Sequence, residues 1–135
     1  MIGVVVVTHS RLAQELIATA EMIIGPAPLL AAVGIDREVS VDAAQEELRQ
    51  VLGTVGSDGD GVIILTDMFG GTPTNICAEF LQSQKVEILT GVSLPMLLKS
   101  VSARHGENLE GLAVLLEEYA KNAIMRPAEM LKGVG

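Results

Sequence analysis

Thr8-His9-Ser10 follows directly on the apolar run Ile2 to Val7, and Asp67 follows in the same way on the run Gly61 to Thr66. A histidine and an aspartate placed just beyond two such runs suit nucleophilic chemistry. A carboxylate that accepts one ring N–H of an imidazole fixes its tautomer and leaves the other nitrogen with a free lone pair. That nitrogen is then an oriented nucleophile, and the carboxylate stabilises the positive character the ring gains when it is modified. Downstream of Asp67 stand Met68, Phe69, Gly70, Gly71 and Thr72, and then Pro73. Gly70-Gly71 lets backbone approach a ligand closely. Thr72 is placed to cap the helix that Pro73 begins, where free N–H groups suit an anion such as phosphate. Ser93, ahead of Pro95, offers a similar arrangement from the next loop, and Ser10 is placed to cap a helix or touch the same anion. The exposed apolar pair Met68 and Phe69, beside an acid, suits a docking protein.

These loops need elements to hold them. Ile2 to Val7 is a short valine-rich run, which predicts a strand buried on both faces. Leu12, Leu16, Ile17, Ala20, Ile23 and Ile24 then fall at helical spacing, stopped by Gly25-Pro26. Leu29 to Ile35 predicts a second strand, and Asp36 to Ser40 a polar loop containing Asp36 and Arg37. Val41 to Val55 carries one apolar helical face, and Gly53 to Gly61 reads as a loop. Gly61 to Thr66 is the clearest strand. Pro73 to Leu81 follows as a helix, Val86 to Thr90 as a strand, and Gly91 to Ser93 as a loop. Helices are predicted from Pro95 to about Ala103 and from Leu109 to Ile124, with Pro127 as a breaker and the tail left open.

Strands alternating with helices imply an α/β fold: an open, mainly parallel four-stranded sheet with helices on both faces. In such sheets ligands bind beyond the carboxyl ends of the strands, where strand order reverses. With the order 2-1-3-4, His9 and Asp67 face each other across that crevice.

Composition bounds the function. The chain has 135 residues, 49% of them hydrophobic and 19% charged, which suits one domain over residues 1–135 with a packed core. Only 2% are aromatic, so Val, Ile, Leu, Ala and Met must build that core. The net charge of −8 argues against nucleic acid and against adhesion to an anionic membrane. Partners with basic faces are the complement. The single cysteine, Cys77, falls inside a predicted helix as core and fits a reducing cytosol. The N-terminus lacks a basic segment and breaks at Thr8-His9-Ser10, unlike a signal peptide. No apolar run approaches a membrane helix.

A metal site needs three or four ligands, and only His9 and Asp67 are expected to converge; His105 follows Arg104 in a polar loop. No metal and no cofactor are expected. Gly-Gly-Thr-Pro lacks the lysine of a P-loop, and strand 1 is not followed by a dinucleotide-binding glycine turn. A receiver domain is disfavoured because strand 1 ends without an acidic pair.

Val-Val-Val-Val-Thr-His-Ser at 4–10, Thr-Asp-Met-Phe-Gly-Gly-Thr-Pro-Thr-Asn at 66–75 and Thr-Gly-Val-Ser-Leu-Pro-Met-Leu at 90–97 resemble the mannose-class IIA component of the phosphoenolpyruvate-dependent sugar phosphotransferase system. The resemblance covers nearly the whole chain. It implies that His9 accepts a phosphoryl group from HPr through Nε2 while Asp67 holds Nδ1, that Thr72 is a hydroxyl residue of the site, and that a IIB protein takes the group onward. Membrane IIC and IID components then choose the sugar. It also implies a cytoplasmic homodimer, in some members with chain exchange that adds an antiparallel edge strand. Many members have Gly where this chain has Ser10. Met125 to Gly135 shows no clear exchanged strand, and the sequence ends without a IIB domain, so a separate IIB is expected. The related phosphoryl donor of a dihydroxyacetone kinase shares a similar first-loop histidine, but the Asp67-Met-Phe-Gly-Gly loop favours the transporter class. A regulator switched by phosphorylation of His9 would use the same chemistry.

Overall fold

Valine and isoleucine are stiff at χ1 and pack well on a pleated surface, and the most valine-rich run of the chain lies at the centre of its sheet. The computed structural model describes residues 1–82 and 85–132. Four strands, β1 (Gly3–His9), β2 (Leu30–Ile35), β3 (Val62–Thr66) and β4 (Val86–Leu89), form one parallel sheet in the order β2-β1-β3-β4. Among the described residues six helices follow or flank them: α1 (Leu12–Ile24), α2 (Val41–Val55), α3 (Thr72–Ala78), α4 (Leu94–Ala103), α5 (Leu109–Asn122) and α6 (Pro127–Lys132).

Register sorts the side chains between the two faces. Val4, Val5 and Val6 pair with Ile63, Ile64 and Leu65. Val4, Val6, Ile63 and Leu65 therefore share one face and pack with Ala13, Leu97, Leu112 and Leu116 of α1, α4 and α5. Val5, Val7 and Ile64 point the other way, against Leu48 and Leu52 of α2 and Ile76 and Cys77 of α3. Each such fully buried aliphatic side chain stabilises the fold by about 1.5–3 kcal/mol.

Several boundaries differ from the sequence expectation. β1 runs on to His9, because the Ser10 N–H still donates to the Ile35 carbonyl at 3.0 Å and prolongs the ladder. Leu29 precedes β2 with φ of +50°, so that strand starts one residue late. Gly53 is helical, and α2 closes only at Gly56. α3 ends at Ala78, before Leu81, and α5 ends at Asn122. Pro127 opens α6, since proline is tolerated in a first turn. Met125 to Gly135 thus contains a helix, and its last three residues lie outside the described chain.

At the amino end of the sheet Arg104 is buried at the close of α4. It donates to the carbonyls of Ile2 (3.3 Å), Leu29 (3.2 Å) and Pro28 (2.7 Å).

Candidate functional site

His9 is the last residue of β1, and Asp67 is the first after β3, its neighbour in the sheet. Parallel pairing of the two strands brings their carboxyl ends level, so the two side chains meet. Asp67 Oδ2 lies 2.7 Å from His9 Nδ1 and also accepts the His9 backbone N–H at 3.0 Å. A carboxylate accepts, so Nδ1 carries the proton, and in the neutral ring the lone pair is then on Nε2. Burial pushes the Asp67 carboxyl up. The His9 backbone N–H and then its ring outweigh that, and the net shift is downward. Asp67 is thereby held as an anion under an imidazole that is half exposed.

Glycine shapes the opposite edge of the ring. A Cβ on Gly71 would lie 3.0 Å from His9 Cε1 and 3.5 Å from Nε2, with Met68 Cγ at 3.3 Å. Gly70 has φ of +82°, in the left-handed region that glycine enters without penalty. The loop is pinned from below by two buried threonines. Thr74 Oγ1 lies 2.7 Å from the Met68 carbonyl and 2.8 Å from Thr66 Oγ1. The carbonyl can only accept, so Thr74 donates to it and Thr66 donates to Thr74.

The expected helix caps are redistributed. Ser10 does not cap α1; it sits at φ of +51°, and the hydroxyl of Thr8 instead accepts the Ala13 N–H at 2.7 Å. Thr72 does not cap α3 either. Gly71 holds the cap position and Thr72 is the first helical residue. Ser93 does cap α4, accepting the Met96 N–H at 3.2 Å.

Ser10 and Thr72 line a cavity of about 880 Å³ with His9. Ser93 is not brought into that cavity. It lines a separate groove of about 790 Å³ that runs along β4 between α3 and α5. Met68 and Phe69 are exposed, Phe69 by 83%. Cys77 is buried and His105 exposed.

The structure also brings to this end residues that were not expected at the site. Val39 and Val41 line the His9 cavity while remaining largely exposed, and Leu12 is exposed on the first turn of α1. With Met68 and Phe69 they give the carboxyl end of the sheet a broken apolar rim. The signal was faint: one valine, Val39, inside the polar loop, and Val41 at the start of the α2 helical face. Arg37 also stands on the cavity wall. Among the described residues no three His, Cys, Asp or Glu side chains gather as a metal would need, and no helix is long and apolar enough to cross a membrane.

Comparison with known proteins accords with this geometry. Residues 3–116 match the family model EIIA-man, described as "PTS system fructose IIA component". The fructose-specific EIIA component of Bacillus subtilis is 30% identical over 135 residues, covering 99% of this chain and 92% of that protein. The mannose-specific EIIAB component of Escherichia coli is 26% identical over 91% of this chain, which spans only 38% of that longer protein. A crystal structure of an EIIA from Streptococcus agalactiae superposes with a TM-score of 0.86 at 22% identity, over 96% of this chain and 99% of the other. That likeness bears on the fold alone. With the family model spanning most of the sequence and the Bacillus relative nearly all of it, the chain belongs to the mannose-class EIIA family of the sugar phosphotransferase system.

Proposed function

We propose that this protein is a phosphohistidine carrier, taking a phosphoryl group from HPr onto His9 Nε2 and handing it to a IIB partner. The observation that carries this reading is the Asp67 Oδ2 to His9 Nδ1 contact of 2.7 Å, which holds the proton on Nδ1 and so leaves the neutral ring's lone pair on Nε2. In the forward step that lone pair attacks the phosphorus of the donor phosphohistidine. A new N–P bond forms at Nε2, and the donor's N–P bond breaks with its electron pair returning to the donor nitrogen. Asp67 stabilises the ring while it carries the group. Gly70 and Gly71 leave room beside the ring edge, and the backbone there, with the Thr72 and Ser10 hydroxyls, supplies donors to the phosphoryl oxygens. In-line transfer needs placement more than covalent help from the protein.

Docking falls to Met68, Phe69 and the rim around His9. The acidic chain suits partners with basic faces. Sugar passage belongs to membrane IIC and IID components, so the fructose and mannose in the relatives' names leave the sugar of this chain open. A cytoplasmic setting follows from those partners. A homodimer is supported by β4, an edge strand with one unpaired side, flanked by the groove that Ile88, Leu89 and Ile124 line.

The test is intact mass after incubation with phosphoenolpyruvate, enzyme I and HPr. Wild type is expected to gain one acid-labile phosphoryl group and His9→Ala none. Labelling that survives in His9→Ala would remove the assignment.

A further inference from the structure

One cation stands on the wall of the His9 cavity. The sequence has 9 Lys and Arg residues, and Arg37 alone among them lines it. The sheet puts it there. β1 pairs His9 with Ile35, and the Ser10 N–H donates to the Ile35 carbonyl at 3.0 Å. The chain then turns back, with the Val39 N–H on the Asp36 carbonyl at 3.3 Å. Arg37 and Glu38 are the central residues of that turn, two and three positions beyond the residue that pairs with His9.

Arg37 is exposed and makes no ion pair among the described residues, although Asp36 and Glu38 adjoin it. Arg11, nearer to His9 in sequence, pairs with Glu15 at 3.5 Å and lies off the cavity wall. The cavity thus carries Asp36 and Glu38, with Asp67 beneath the ring, against one uncommitted guanidinium. A phosphoryl group on Nε2 would bring up to two further negative charges into that setting.

We propose that Arg37 binds the phosphoryl group on His9, closing its guanidinium over the oxygens. The inference rests on the phosphocarrier reading. A guanidinium offers a planar fork of donors that fits two phosphoryl oxygens at once, and it is charged at every working pH. Among the described residues Arg37 has no partner to give up on binding, so the full charge-assisted contact favours the phosphorylated state. During transfer it bonds only to oxygens that stay on phosphorus. The N–P bond exchange is unchanged, and no proton or electron is displaced. Arg37 therefore shifts the partition of phosphate between HPr and His9 toward His9.

The experiment is a phosphoryl-partition measurement with phosphoenolpyruvate-charged HPr, following the occupancy of His9 by mass and its 31P resonance. Arg37→Ala is expected to lower the equilibrium constant for phosphorylation about tenfold, the scale of one lost charge-assisted bond. Its 31P resonance should move, and Arg37→Lys should recover part of the loss. Arg11→Ala is expected to behave as wild type. Equal partition and an identical 31P resonance in Arg37→Ala and wild type would overturn the proposal while leaving His9 as the carrier. An equal loss in Arg11→Ala would overturn it as well, by showing a diffuse charge effect. No label on wild type would instead remove the carrier reading itself.

Discussion

A single oxygen of Asp67 accepts both hydrogen bonds that His9 sends it, one from the backbone N–H at 3.0 Å and one from ring Nδ1 at 2.7 Å. The acid therefore holds the end of β1 and the orientation of the imidazole with the same atom. Asp67→Asn keeps the size of the group and removes the charge. We expect it to fold and to transfer phosphate at least tenfold more slowly, about the cost of 1.4 kcal/mol in the transition state. Stopped-flow transfer from charged HPr, set beside a melting curve, checks this. Wild-type rates would show that the ring needs no counter-charge.

Gly71 bears on the other edge of the same ring. Gly71→Ala places a methyl 3.0 Å from His9 Cε1, tighter than ordinary contact, so the ring or the loop must give way. The expected result is a slower phosphorylation rate with a melting temperature close to wild type. A drop in stability with an unchanged rate would mean that the loop yields and the imidazole does not.

Phe69 is 83% exposed and Met68 54%, so neither has much core to lose. Replacing both with Ala should change stability by no more than about 0.5 kcal/mol. It should raise the concentration of partner needed for half-maximal transfer several-fold. Titration of HPr against the double variant, alongside urea unfolding, separates docking from packing.

Cys77 gives a pH signature. Burial pushes its thiol from 9.0 up to about 12. The folded state favours the neutral form, so this contribution to stability is complete below the unfolded value of 9.0 and declines as pH rises from there toward about 12. Chemical denaturation of wild type and Cys77→Ala on the alkaline side should converge as pH rises. In the native protein at neutral pH, a thiol reagent should label Cys77 only as fast as the fold opens.

The architecture was legible because its signals are local and strong. Runs such as Ile2 to Val7 and Gly61 to Thr66 leave few alternatives to buried parallel strands, and the alternation with helices sets the order. His9 and Asp67 were legible because strand ends in such sheets mark where side chains converge. The helix caps are less legible. Ser10 and Thr72 stand where a cap is usual, but Arg11 and Gly71 hold the cap positions, with the Thr8 hydroxyl accepting the Ala13 N–H; Ser10 turns left-handed and α3 begins at Thr72. Ser93 caps as its position suggested, yet it faces the β4 groove. Arg37 was legible only as a residue just beyond a strand end and Val41 only as part of a helical face; that both, with Val39, line the His9 cavity depended on how the β2–α2 turn folds back.

Arg104 has a consequence for how the chain reaches this state. Its guanidinium seals carbonyls at Ile2, Pro28 and Leu29, which lie 102, 76 and 75 residues earlier in sequence. The first strands leave the ribosome long before the residue that closes their starting end. Contacts this distant are slow to form, because a long loop must close before they give any return. A chain interrupted before α4 therefore lacks this donor at the root of β1 and β2, where only the Leu29 carbonyl of the three also accepts the Val4 N–H at 2.9 Å. Cooperative folding has to wait for the last third of the sequence.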